Sequence, residues 1–368
     1  MPVERPYLRD GVDVYVRENN ELHFVFLATR KRLILKALPE LVQALSWLDG
    51  SQTRDSLRRR FASMTGPDHQ HRFDTFLDYL EARGIVVDED WIGKSGLEES
   101  LQRVQRRQLT FLLDILESPA RVAAAQIAIS NARIACFGVG AVGGWLVRML
   151  IAMGFRHFLF VDHARQEPAD AARHAWFDAG MSGRECTKVA VIADAIRAEF
   201  DGVSVLTNDQ PLTVTTRIGD VLGAHTDLLI NAADEPYIGY TSVLLSRYCI
   251  PRKLPLLVAG GFDAHLGSVG EMIIPGVTPC ADCYADHFGE ALADWKPLPH
   301  PVEDRRDGSG GLCSLAVFAA ATAAMKAMRL IAMNEVSNGG RGELLFDSYR
   351  LDSFHVERRP DCRFCATP

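Results

Sequence analysis

Several things are scarce in this sequence, and each scarcity removes a class of function. Basic charge is in deficit: 40 Lys and Arg stand against 47 Asp and Glu, a formal net charge of −7. A polyanion-binding domain ordinarily carries a basic surplus, so no nucleic-acid partner is expected. The opening "MPVERPYLRDGVDVY" has no apolar signal core. No apolar run reads as approaching the roughly 20 residues that span a bilayer. The expectation is a cytoplasmic chain with no membrane partner. Internal repeats and low-complexity tracts are missing too, while 368 residues of ordinary globular composition suggest two or three domains. Eight cysteines in such a compartment should be thiols or metal ligands rather than disulfides.

Residues 1–90 read as a unit of their own. "LHFVFLATRKRLIL" (22–35) suggests two strands around a basic turn, and "LPELVQALSWLDG" (38–50) a helix entered at Pro39 and stopped by Gly50. "RDSLRRRF" (54–61) is a second helix. Phe73, Phe76, Leu77 and Leu80 line one face of a third, which ends at Gly84 before the strand-like "GIVV". A hairpin, three helices and a closing strand make a small winged-helix-like module. Arg58, Arg59 and Arg60 read first as a solvated helix face, and a groove beside that helix could hold an extended peptide by strand addition. Residues 91–130 suggest a polar helical connector carrying "RVQRR" (103–107).

Residues 131–368 have a different rhythm. "RIACFGV", "HFLFVD", "VSVL", "DLLINA" and "PLLVAG" alternate with helical segments as far as about residue 274, the pattern of a parallel sheet with crossover helices. A first CxxC, a polar loop (284–310), an Ala-rich helix (312–332) and a short β-rich tail with a second CxxC follow.

Within that region Gly138, Gly140 and Gly143 satisfy G-x-G-x-x-G between a strand and a helix. The first glycine permits the tight turn, the second lets backbone approach a phosphate, and the third lets helix pack on strand. Close packing alone could also demand all three. Asp162 ends the next strand, where a carboxylate can hydrogen-bond ribose hydroxyls. NAD is the usual ligand of such a fingerprint. Arg173 and Lys188, however, follow in a segment unlike a plain crossover helix, and cations there could neutralise a triphosphate. "NAADEP" (231–236) then puts Asp234 just past a buried strand, where a carboxylate facing phosphates needs Mg²⁺ between them. Together these favour ATP.

The CxxC pairs, Cys280 with Cys283 and Cys362 with Cys365, can close a tetrahedral Cys₄ zinc site with no open coordination position. Unligated thiols are the plain alternative. A redox dithiol fits less well, because neither pair opens a helix after a thioredoxin-like strand.

"GVGAVGG", Asp162, the spaced Arg173 and Lys188, "NAADEP", "PGVTPCADC" and the terminal "CRFC" resemble the ThiF/E1-like adenylyltransferase family over roughly residues 103–368. The likeness is to its peptide-modifying branch, the microcin C- and pantocin-type enzymes. Those enzymes begin with a small winged-helix-like RiPP recognition element that grips a precursor peptide, a description residues 1–90 fit. The resemblance implies an α/β Rossmann-like adenylation domain (131–368) with a Cys₄ zinc site, behind a peptide-recognition domain (1–90) and a connector (91–130). It implies that Gly138 and Gly140 line the phosphates, Asp162 binds ribose, Arg173 and Lys188 contact phosphate, and Asp234 holds Mg²⁺. Arg107 matches an arginine that reaches the neighbouring protomer's site, implying a homodimer. Cys280, Cys283, Cys362 and Cys365 match the zinc ligands.

Three positions depart from the family pattern: Ala164 replaces a second acid, Asp170 an Asn and His174 a Gln. An Asp near a triphosphate adds repulsion unless a cation offsets it. Residues 284–312 contain no cysteine, which argues against thioester-forming chemistry. The implied activity is ATP-dependent activation of a carboxylate on a ribosomally made precursor peptide, by adenylation or phosphorylation. The peptide leader is expected to add a strand beside "HFVFL" (23–27), drawn by Arg54 and Arg58–Arg60, with its core under the 284–310 loop. Two rivals are a non-catalytic E1-like partner presenting precursor peptide to a cyclodehydratase, and an NAD-dependent oxidoreductase.

Overall fold

The computed structural model describes residues 3–177, 186–223, 225–260, 266–294, 311–335 and 340–366. Two compact units divide the chain, Met1–Ile127 and Ala128–Pro368.

The first unit opens with β1 (Pro6–Leu8), β2 (Val12–Arg17), β3 (Glu21–Phe26) and β4 (Arg32–Lys36). Strands β2, β3 and β4 form an antiparallel meander with β3 in the middle. On β3, Leu22, Phe24 and Phe26 are buried in strict alternation, so one face of the meander is core and the other is not. The expected hairpin is therefore a three-stranded sheet; "DVYVR" supplies the third strand, its exposed side chains masking the alternation. Because β2 and β4 occupy both edges of β3, the "HFVFL" stretch cannot take up a peptide strand. The edge open to addition on that side is β4.

Helices α1 (Pro39–Ala44), α2 (Arg54–Thr65) and α3 (Gln70–Glu81) follow. Thr53 caps α2 by accepting the Ser56 N–H at 3.3 Å, and Gly66, at φ +101°, stops it. Phe61 of α2 and Phe73 of α3 meet with ring centroids 5.5 Å apart. Strand β5 (Val86–Asp88) then pairs antiparallel with β1.

The segment expected to be a polar connector is helical, as α4 (Glu99–Val104), α5 (Arg106–Leu116) and α6 (Pro119–Asn131), but α5 is packed into the first unit rather than solvated. Leu109, Leu112, Leu113 and Leu116 bury one face of it. On that face Asp114 pairs with the Arg9 guanidinium, which also donates to the Gly84 carbonyl; the two side chains are 9% and 2% exposed. A Cβ on Gly84 would stand 2.4 Å from the Glu117 carbonyl oxygen, so the α5 end and the α3 end touch backbone to backbone.

The second unit continues with β6 (Arg133–Phe137), α7 (Ala141–Ala152), β7 (His157–Val161), α8 (Lys188–Glu199), β8 (Ser204–Asn208), α9 (Ile218–Leu222), β9 (Leu228–Asn231), α10 (Ile238–Cys249) and β10 (Leu256–Val258). After β11 (Gly267–Val269) and β12 (Met272–Ile273) come α11 (Ala281–Ala291), α12 (Cys313–Met333), β13 (Gly340–Leu345) and β14 (Arg350–His355). The central sheet has the order β12-β10-β9-β6-β7-β8, parallel except for the antiparallel edge strand β12. All five strands read from the sequence are present. A second, antiparallel sheet joins β11, β13 and β14.

Helix α12 corrects one expectation: at 21 residues it is long and apolar enough, by length and composition, to cross a membrane. Its small side chains, including Ala316, Ala320, Ala324 and Ala327, are instead buried in the unit, where α12 packs on α7. A row of alanines lets two helices approach closely, which accounts for the composition without a bilayer.

Replacing Arg9 by Met should leave the Asp114 carboxylate buried without its partner and destabilise the first unit by about 3–5 kcal/mol. The double replacement Arg9→Met with Asp114→Leu should recover most of that loss in urea unfolding. Equal stability of the single variant and the native chain would show that the pair contributes nothing.

Candidate nucleotide site

The chain leaves β6, runs to β7 and β8 on one side, then returns to β9 and β10 on the other. The order of strands reverses between β6 and β9, and in open α/β sheets a crevice forms at the carboxyl ends of strands at such a point. A cleft of about 290 Å³ lies there, lined by Gly138, Gly140, Asp162, Arg173, Lys188 and Asp234 among others. Six residues singled out in the second unit's sequence thus meet at one cleft, whereas Gly143 does not line it.

The three glycines answer two different demands. Gly138 has φ +82°, and a Cβ there would stand 2.5 Å from the backbone of Ala232 and Ala233. A Cβ on Gly143 would stand 2.1 Å from the Gly138 carbonyl oxygen. Both are required by close backbone approach. Gly140 differs, because a Cβ on it would meet nothing within 4 Å. Packing alone therefore does not explain it. The open space above Gly140, at the N-cap of α7, is where a phosphate would meet free N–H groups.

Asp162 is tied into this turn. Its two carboxylate oxygens accept from the N–H groups of Val139 and Ala164, both at 2.8 Å. Each oxygen keeps a lone pair for a ribose hydroxyl. On the other wall the Asn231 side chain is fully buried: it donates to Thr241 and Ser242, each at 3.0 Å, and accepts the Ala233 N–H at 3.1 Å. That clamp shapes the loop that carries Asp234 into the cleft. Glu235 and His163, from the two walls, approach each other at 3.4 Å.

The departure at Asp170 has a local solution. Its carboxylate, 1% exposed, accepts from Lys188 Nζ at 3.0 Å, lies 3.7 Å from the Arg173 guanidinium, and accepts the Glu167 N–H at 2.9 Å. Two cations offset the extra acid before any ligand arrives. Lys188 opens α8, and its own N–H is held by the Ala164 carbonyl at 2.9 Å, so the segment after Asp162 sets its height in the cleft.

Residues that sequence reasoning did not single out also line the cleft: His163, Gln210, Leu212, Glu235, Ala259 and Gly260. Gln210 and Leu212 follow β8, so the rule that ligands gather at strand ends would have pointed to them. His174 was seen only as a departure; it proves buried beside the glycine turn. Arg107 lies on α5, in the first unit. Residues 295–310 of the expected covering loop fall outside those described.

The four paired cysteines converge. Their Sγ atoms all lie within 4.8 Å of one another, with Cys280–Cys283 at 3.8 Å, Cys280–Cys362 at 3.6 Å and Cys283–Cys365 at 3.5 Å. Four sulfurs about 2.3 Å from a tetrahedral Zn²⁺ stand roughly 3.8 Å apart, so the donor set fits that ion. Burial raises the Cys280 and Cys283 thiols, the latter to about 11, so a cation is needed to hold thiolates there at neutral pH. The cluster sits in the apolar core with Leu245, Leu256 and Ile273, far better suited to holding chain segments than to chemistry.

The ThiF family model matches residues 114–364. No curated protein matches the chain in sequence. Among solved structures, the chain is similar to E. coli MccB crystallised with ATP, at 16% identity and a TM-score of 0.70, over 98% of this chain and 99% of that one. MccB with MccA-N7isoASN gives 16% identity and a TM-score of 0.71 over the same shares. PaaA gives 17% identity and a TM-score of 0.71, over 95% of this chain and 100% of that one. At such identities the likeness establishes the fold.

Metal analysis of the purified protein should find one zinc per chain. Cys362→Ser should release it and lower the Tm by about 10 °C or more. A metal-free protein with an unchanged Tm would mean that the thiols pack without a cation.

Proposed function

Because the chain belongs to the ThiF family, we propose that it uses ATP to activate a carboxylate on a ribosomally made precursor peptide, as an adenylyltransferase in the maturation of a peptide natural product. The observation that carries this reading is the cleft at the strand-order reversal, where an open Gly140 faces Arg173, Lys188 and Asp234. E. coli MccB, to which the chain is similar in fold, has been crystallised with ATP and with MccA.

The peptide carboxylate would attack the α-phosphorus of ATP. A bond forms from the carboxylate oxygen to phosphorus as the bond to the bridging oxygen breaks, giving an acyl-adenylate and pyrophosphate. No general base is needed, since the attacking carboxylate is already ionised at pH 7. The chain's task is alignment and charge neutralisation. Free N–H groups at the start of α7 and the Lys188 and Arg173 cations receive the phosphates, while Asp162 takes the ribose. Asp162, Asp170 and Asp234 together outnumber those two cations, so a divalent ion is needed for a polyphosphate to enter. Mg²⁺ on Asp234 would supply that charge. Zn²⁺ on the four cysteines would close the fold.

The partner-protein rival is disfavoured because an idle site has no reason to keep this full set of groups. The NAD rival is disfavoured because the two cations in the cleft, Arg173 and Lys188, suit a triphosphate, which NAD lacks. The thiol and metal-ligand use of cysteine suits a cytoplasmic enzyme.

Peptide recognition belongs to the first unit in this reading. The open edge of β4 runs beside α3, and a groove of about 630 Å³ there is lined by Leu35, Leu38, Leu41, Phe76 and Tyr79. Unpaired backbone groups on β4 would supply hydrogen bonds and the apolar groove would supply side-chain pockets. The arginines are less available than their number suggests. Arg54 is paired with Asp74, Asp78 and Glu81, Arg58 with Asp55 and Asp74, and Arg60 lies over the Trp47 ring. Arg107 would complete the cleft of a partner protomer in a homodimer.

Calorimetry should show micromolar Mg-ATP binding to the zinc-loaded protein, weakened at least about tenfold by Asp234→Ala. No binding by a folded native chain would return the partner-protein reading. Leu38→Glu should reduce affinity for the precursor peptide about tenfold or more while leaving Mg-ATP binding intact; equal peptide affinity would remove the groove from the reading. Mixing Arg107→Ala and Asp234→Ala chains should restore activity that neither has alone, and failure to do so in confirmed hybrid dimers would count against a shared site.

A further inference from the structure

The glycine turn reads "GVGAVGG", one glycine more than its motif requires, and His174 stands where the resembled family has Gln. The two features have one explanation. A Cβ on Gly144 would stand 2.3 Å from Cε1 and 2.6 Å from Nε2 of His174. The extra glycine is the gap through which the imidazole reaches the turn.

The ring is 6% exposed and fully engaged. Trp176 N–H, which can only donate, lies 3.2 Å from Nδ1, so Nδ1 accepts. The neutral ring then carries its proton on Nε2, which donates to the Val139 carbonyl at 2.7 Å. Phe177 stacks on the ring with centroids 4.1 Å apart. Two indoles fasten the same segment to the start of α7: Trp176 Nε1 donates to the Gly144 carbonyl at 2.9 Å, and Trp145 Nε1 to the Arg173 carbonyl at 3.1 Å.

In a planar trans peptide the C=O of one residue and the N–H of the next point in opposite directions. Val139 is held at both ends, its N–H by Asp162 and its C=O by His174. Drawing the Val139 carbonyl to the imidazole therefore turns the Gly140 N–H the other way. Gly140 lines the cleft, the space over its Cα is open, and no group among the described residues accepts from its N–H.

We propose that His174 is a positioning residue that aims the Gly140 N–H at a nucleotide phosphate by holding the Val139 carbonyl on the far side of the same peptide bond. This deepens the ATP reading and rests on it. The neutral ring is what the geometry needs, since a second proton on Nδ1 would face the Trp176 N–H. Burial agrees, holding the imidazole pKa down to about 4, with Lys188 and Arg173 adding to the depression while the Val139 carbonyl and Asp170 oppose it.

The test compares Mg-ATP with adenosine, which lacks the phosphates. His174→Phe keeps a ring against Phe177 but removes the donor. It should weaken Mg-ATP binding about tenfold or more while adenosine affinity stays within about twofold. His174→Gln, which restores a side-chain N–H, should recover most of the loss. Unchanged Mg-ATP binding by the Phe variant, or equal losses for both ligands, would overturn the assignment. If that variant does not fold, the ¹⁵N spectrum of histidine-labelled native protein decides: a protonated Nε2 with a bare, hydrogen-bonded Nδ1 at His174 supports the role, and any other tautomer ends it. A native chain that binds no Mg-ATP would sink the nucleotide reading instead, while the tautomer measurement would still report on the hold over Val139.

Discussion

The contact between the ends of β6 and β9 sets the rest of the site. At Gly138 the backbone turns with positive φ directly against the backbone of Ala232 and Ala233, with no room for a Cβ. That approach brings the glycine turn and the Asp234 loop to facing walls of one crevice, and it occurs where the strand order reverses. Asp162 and Asn231 then fasten the two walls internally, one through the Val139 N–H and the other through Thr241, Ser242 and the Ala233 N–H. The crevice is built from backbone, and backbone N–H groups hold the Asp162 carboxylate that lines it.

Electrostatics in the crevice are balanced before any ligand enters. A buried carboxylate at Asp170 would be costly alone, and Lys188 and Arg173 beside it make it tolerable. The same pairing holds both cations at a fixed height, so the ordering cost of two long side chains is met on folding rather than on binding. The price is that Asp162, Asp170 and Asp234 outnumber the two cations, which leaves the crevice without a positive surplus of its own.

The first unit shows a comparable economy of parts. Arg9 and Asp114 close the β1–β2 turn onto α5, while Gly84 lets the α3 end meet the backbone after α5. Helix α5 is therefore tied to this unit by an ion pair and by a close backbone approach. The groove along β4 and α3 lies at an open sheet edge, and Arg54 and Arg58 of α2 are paired with acids of α2 and α3.

By itself the sequence determined the parallel strands, the glycine turn and the zinc-type cysteine pairs, because each is written in local periodicity or spacing. Strands buried on both faces must be continuously apolar, a backbone–backbone contact must have glycine, and CxxC pairs two sulfurs within one turn. Tertiary structure decided what depends on partners far along the chain. Strand β3 became interior only because "DVYVR" pairs with it, and exposed side chains hid that strand from its pattern. Within the polar-looking connector α5 buries a face of leucines, and on it Asp114 meets Arg9, 105 positions away. Asp170 and His174 were legible as departures but not as solutions, since their partners, Lys188 and the Val139 carbonyl, are chosen by packing. Pattern reports which face of an element is apolar; it does not report what that face, or a buried polar group on it, will touch.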